Sequence, residues 1–143
     1  MARRFPLAGL LRLRHAEQDR AAAALAAAND RLRDAADARF AARRNLADRE
    51  QEQYVTDAAT LSALAAARAS TRGMLEELDA VARTRRAEAD DAQTAYSAAR
   101  RAALGLEKLE CHHDREQAAA DLRAEQDALD EIAARRRTEG GAR

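Results

Sequence analysis

The densest set of chemically capable side chains is the run Glu110-Cys111-His112-His113-Asp114, which holds a thiol, two imidazoles and two carboxylates within five residues. Such residues could ligate zinc or form a Cys-His nucleophile. Zinc needs four converging ligands, and on a helix adjacent side chains diverge by about 100°, so Cys111, His112 and His113 cannot meet on one ion. His112 and Glu116 alone share a face, four residues apart. A thiol nucleophile would need an oxyanion loop or a pocket-forming fold around it, and none accompanies Cys111. The run reads as polar helix surface with one histidine touching a packing seam. Nucleotide chemistry is no better supported, because no GxxxxGK[ST] loop exists: Gly9, Gly73 and Gly105 stand singly in helical sequence, and Lys108 has no glycine loop before it. Gly105 is expected to permit close helix packing. The residues therefore call for no catalytic role, no cofactor and no metal.

The elements that carry these residues are helices. Alanine occupies 41 of 143 positions, aromatics only 3% and charged residues 35%, a composition rich in helix formers and poor in what fills a thick core. The 25 basic and 25 acidic residues cancel, which removes the disorder argument from net charge and argues against nucleic acid as a partner. The longest weakly charged stretches, around 21–29 and 57–67, fall short of the roughly 20 apolar residues that span a bilayer, so no direct membrane insertion is expected. Arg3-Arg4 superficially resembles a twin-arginine export signal, but Arg12 and Arg14 interrupt the apolar stretch behind it. Cys111 is the single cysteine, which precludes an internal disulfide and suits a cytoplasmic location.

A four-and-three spacing runs through Ala21, Leu25, Ala28, Leu32 and Ala35, passes Arg39 with Phe40 beside it, and resumes at Ala42 and Leu46. It returns as Leu75, Leu78, Ala82, Arg85, Ala89 and Ala92, then Tyr96, Ala99, Ala103 and Leu106. Alternating alanine and leucine lets two helices approach closely, as in a coiled coil. Pro6 suits a first helical turn. Residues 1–53 contain no serine or threonine, whereas 54–62 concentrate β-branched and capping residues, with Thr56 or Asp57 able to cap a new helix. A break there is preferred to one at Ser70-Thr71-Arg72-Gly73. The expected fold is all-α, a single domain over 1–143 forming a long two-helix antiparallel coiled-coil hairpin. Helix 1 is placed at about 6–54, the turn at about 55–62, helix 2 at about 63–137, and a short disordered tail after it.

Past Leu109 a strict heptad puts Glu110, His113 and Gln117 on the seam, while Leu122 and Leu129 fall in another register, so the stripe is expected to slip or change partner. Residues 107–134 carry nine acids against three bases, and residues 1–20 lean basic, an asymmetry that antiparallel helices can pair. The strongest apolar patch is Phe5, Leu7, Leu10, Leu11 and Leu13 among Arg3, Arg4, Arg12 and Arg14. It can pack on the C-terminal helix, enter a partner's groove, or lie on an anionic membrane.

The opening Phe5-x-Leu7-x-x-Leu10-Leu11-x-Leu13-Arg14, the segment Leu106-Glu107-Lys108-Leu109-Glu110 and the closing Glu125-Gln126-x-x-Leu129-Asp130-Glu131-Ile132-Ala133-x-Arg135 together resemble the FliJ family of the bacterial flagellar protein export apparatus. The resemblance spans nearly the whole chain and rests on the order and spacing of these segments. It implies a non-enzymatic, stalk-like coiled coil that binds the hexameric flagellar export ATPase at the end carrying both termini. It further implies contact with the cytoplasmic domain of the export gate, handling of export chaperones, and a cytoplasmic position against the inner face of the membrane at the flagellar base. Carried onto this sequence, the ATPase-binding set is Leu7, Leu10, Leu11, Arg14, Leu129 and Ile132 with Arg135, Arg136 and Arg137. The gate-binding set is Ala67, Thr71, Met74 and Leu78, whose spacings of four, three and four share one helix face. The alternatives are a purely structural scaffold coiled coil or a membrane-surface binder using Phe5 to Arg14.

Overall fold

The computed structural model describes residues 4–51 and 57–140. It contains two α-helices, α1 at Ala8–Gln51 and α2 at Ala58–Gly140, and no strand among the described residues. The fold is an all-α hairpin whose two long helices pack against each other. Two units are distinguishable: Gln18–Ala98, and Met1–Glu17 with Ala99–Arg143. Each contains part of both helices.

Within the Gln18–Ala98 unit the seam is the one the spacing marks. Ala28, Ala35 and Ala89 are buried, and Ala21, Leu25, Leu32, Ala42, Leu46, Leu75, Leu78, Ala82 and Ala92 are half-buried. Small alanines let the two backbones come close, and the leucines fill the flanks. The helices are antiparallel: Arg31 pairs with Glu88 at 3.7 Å, and Arg39 further along α1 pairs with Asp79 further back on α2. Arg39, the charged residue in an otherwise apolar stripe, is thus accommodated by a carboxylate supplied across the seam, to which Arg43 adds a second contact at 3.8 Å. Phe40 beside it is exposed, with the Arg44 guanidinium 5.9 Å from its ring centroid. Arg85 hydrogen-bonds Glu88 at 2.9 and 3.0 Å and holds that carboxyl below its ordinary range, with Arg31 lowering it further.

The start of α2 lies earlier than the expected boundary near residue 63. Asp57 is the N-cap: its Oδ1 accepts the Thr60 backbone N–H at 2.6 Å, so residues 58–62, placed in the turn by composition, form the first helical turn. Hydroxyl and β-branched residues cost little there because capping, not interior packing, sets the local balance. Thr56, the other candidate cap, lies outside the described residues, as does the remainder of the expected turn from 55. The hydrogen bonds from Thr60 lower the Asp57 carboxyl, so the cap's contribution is present above the ordinary carboxylate range and lost as pH falls through the depressed value. The helix passes without interruption through Ser70–Gly73 and ends at Gly140, three residues beyond Arg137.

In the unit formed by Met1–Glu17 and Ala99–Arg143, the Phe5 and His113 rings lie 5.6 Å apart at 59°, and His15 Nε2 meets Glu107 Oε1 at 2.7 Å. The order is again antiparallel. Leu11 and Ala103 are buried, the latter fully. The seam does not slip after Leu109: Glu110, His113 and Gln117 continue it, half-buried. Polar residues hold these places because the opposing helix is near its own beginning. From Ala120 to Arg137 every residue is exposed, so Leu122 and Leu129 belong to no seam between the two helices.

Gly105 does not serve close packing. It is exposed, and a Cβ built on it meets nothing within 4 Å. Gly105→Ala is therefore expected to stabilise the protein by about 0.5–1 kcal/mol, since a mid-helix glycine loses more backbone entropy on folding than alanine does. Thermal unfolding followed by circular dichroism should show a midpoint a few degrees higher. A lower midpoint would mean that something does occupy the space beside this glycine.

Candidate functional site

The Cys-His run resolves into separate environments. Cys111 is exposed, and His112 lies 3.5 Å from Glu116 one turn on, with both side chains in solvent. His113 turns the other way, its side chain only 19% exposed, against Phe5 and 3.5 Å from Asp114. It is the histidine on the seam, and its ring contact fixes where Phe5 lies along α2. No group of three or more His, Cys, Asp or Glu side chains among the described residues is placed to hold a metal ion. The surface hollow at Cys111 is shallow and lined from one helix, by Leu104, Lys108 and Arg115 among others.

What the structure offers instead is exposed apolar surface at helix ends and along one groove. At the start of α1, Leu7, Leu10 and Leu13 are 39%, 39% and 51% exposed. Leu11 is 6% exposed and belongs to the hairpin's own packing. Arg14 is engaged by Glu17 at 2.7 Å, on the same helix. The N-terminal patch is thus divided, one face packed and the other open.

At the far end of α2, Leu122, Leu129 and Ile132 are 60%, 65% and 50% exposed. Arg135 is bonded to Glu131 at 2.5 Å, and Arg136 and Arg137 are exposed. The two parts of the expected ATPase-binding set are not brought side by side. Phe5 is level with His113, and Leu129 lies sixteen residues beyond, about 24 Å along the helix. Leu129 and Ile132 therefore do not hold α1 and α2 together. Leu122, which the resemblance does not single out, shares their exposure, and its spacing of seven from Leu129 is the sequence signal that joins it to them.

The second surface lies in the Gln18–Ala98 unit. Thr71, Met74 and Leu78 form one wall of a groove of about 290 Å³, with Ala42, Leu46 and Arg49 of α1 on the other side. Met74 is 54% exposed. Ala67 does not line the groove; its carbonyl accepts the Thr71 hydroxyl at 2.9 Å, which orients that side chain along the helix. Ala42 and Leu46 of the α1 wall were missed in sequence because they belong to the same stripe that closes the hairpin.

No helix among the described residues is long and apolar enough to cross a membrane. The fold and these surfaces define an α-helical hairpin protein with open faces suited to binding macromolecules. The model of the flagellar FliJ protein family matches residues 3–140, and the chain belongs to that family. It is accordingly a flagellar protein of the export apparatus, from a family of structural export components. Neither the curated proteins nor the solved structures include a significant match to it.

Proposed function

We propose that the chain acts as the stalk-like activator of the flagellar export ATPase, inserting its terminal helix ends into the hexameric ring, and that it catalyses nothing itself. The observation that supports this most is the run of α2 from 120 to 137, uncovered by α1 and carrying Leu129 and Ile132 in solvent. A ligand that binds the assembled ring better than free subunits shifts the population toward the ring. Leu7 and Leu10 at the start of α1 supply a second contact. The groove walled by Thr71, Met74 and Leu78 suits the cytoplasmic domain of the export gate, and its apolar lining fits a protein partner. Handling of empty export chaperones, and a place against the inner face of the membrane at the flagellar base, complete the role.

The test is stimulation of the cognate export ATPase. Substituting Arg135, Arg136 and Arg137 by serine, and separately Leu7 and Leu10 by glutamine, should each reduce stimulation while leaving helicity intact, because all five side chains lie at least partly in solvent. Removal of residues 1–14 would be a poorer probe, since it deletes the buried Leu11. If both variants stimulated the ATPase as the parent chain does, the ring-binding role of the termini would have to be abandoned.

A further inference from the structure

The uncovered part of α2 is patterned for a helix that the described residues of the chain do not supply. Leu122, Gln126, Leu129 and Ala133 repeat at spacings of four, three and four, the d, a, d, a positions of a heptad. All are exposed. In an antiparallel pair of identical helices, a positions pack against d positions, which sets Leu122 against Ala133 of a second copy and Gln126 against Leu129 of that copy.

The flanking charges then decide the orientation. The e positions are Glu116, Arg123, Asp130 and Arg137, again seven apart and all exposed. In this register Arg123 faces Asp130 of the second copy and Glu116 faces Arg137 of the second copy. The twofold axis repeats each pair. Both pairs are attractive. On the other flank Glu125 lies beside Ile132 of the second copy, whose side chain extends the apolar strip. A parallel arrangement would instead set Glu125 of one helix against Asp130 of the other, a like-charged contact.

We propose that the segment 116–137 of α2 pairs with the same segment of a second copy as a short antiparallel coil, giving a reversible dimer of the full chain. The inference does not depend on ring binding, and the two compete: Leu129 and Ile132 are covered in either state, so a ring-bound end is withdrawn from the dimer. Exposed ion pairs are individually weak and screened by salt, so they select orientation more than they add affinity.

Sedimentation of the isolated full-length chain over a wide concentration range tests this without any ATPase. The parent chain should pass reversibly from monomer to dimer. Arg123→Asp sets acid against acid and Asp130→Arg sets base against base, so each variant alone should dimerise at least roughly tenfold more weakly. An equimolar mixture of the two makes every 123–130 contact attractive again and should recover the dimer, as should the two substitutions combined in one chain. Circular dichroism confirms that each variant remains helical. A parent chain that stays monomeric throughout, single variants that dimerise like the parent, or a mixture and a double variant that both fail to recover the dimer would each overturn the proposal.

Discussion

Ala28→Leu and Ala103→Leu are expected to destabilise the hairpin by about 1–3 kcal/mol each, the cost of forcing extra methylenes into a packed contact. Ala28 is 2% exposed and Ala103 is fully buried, one in each unit. The ion pairs of Arg31 with Glu88 and Arg39 with Asp79 put Ala28 level with the stretch holding Ala89 and Ala92, so alanine meets alanine there and the backbones approach closely. A leucine at such a place must push the helices apart or turn off its preferred rotamer. Marginal stabilities of roughly 5–15 kcal/mol make the double substitution a large fraction of the total. The control is Ala22→Leu with Ala26→Leu, at exposed positions of the same helix, where a change within about 0.5 kcal/mol is expected. Urea unfolding followed by helicity gives both numbers. Equal stability for the seam and control variants would mean that alanine is not what sets the helix separation.

Replacing Leu129 and Ile132 by glutamine is expected to abolish most of the affinity for the export ATPase without unfolding the chain. Burial of each side chain in a partner contributes about 1.5–3 kcal/mol, so losing both should weaken binding by well over tenfold. Glutamine is a good helix former. At 65% and 50% exposure the two residues contribute little to the fold, and the substitution isolates partner binding from stability. Motility in a complemented strain and direct binding to the ATPase are the readouts. Unchanged binding and motility would show that this end of α2 is not the contact. A large fall in helicity would show that Leu129 and Ile132 pack within the chain after all.

The seam was legible because a four-and-three spacing of alanine and leucine suits close approach by another helix, and from Ala21 to Leu46 and Leu75 to Leu106 the positions it names are removed from water. The cap at Asp57 was legible for a similarly local reason, its carboxylate satisfying a backbone N–H within the same turn. The glycine at 105 was misread because a missing side chain marks either close packing or nothing, and sequence gives no neighbour to choose between them. The division of Leu7, Leu10, Leu11 and Leu13 into one packed and three open side chains likewise depends on where the second helix passes.

The amino-acid pattern alone determined the helical class, the alanine-leucine seam and the resemblance of the terminal segments to the flagellar export family, because each rests on spacing within one stretch of chain. Tertiary structure decided how far the seam extends. A heptad continues on paper through Glu110, His113 and Gln117 and past them to Ala120 and Ala124, but burial requires a partner surface, and beyond Ala119 none of the described α1 residues covers the helix. Phe5 against His113 fixes that limit. It leaves Leu122, Leu129 and Ile132 in water, where their apolar surface is free to bind another molecule.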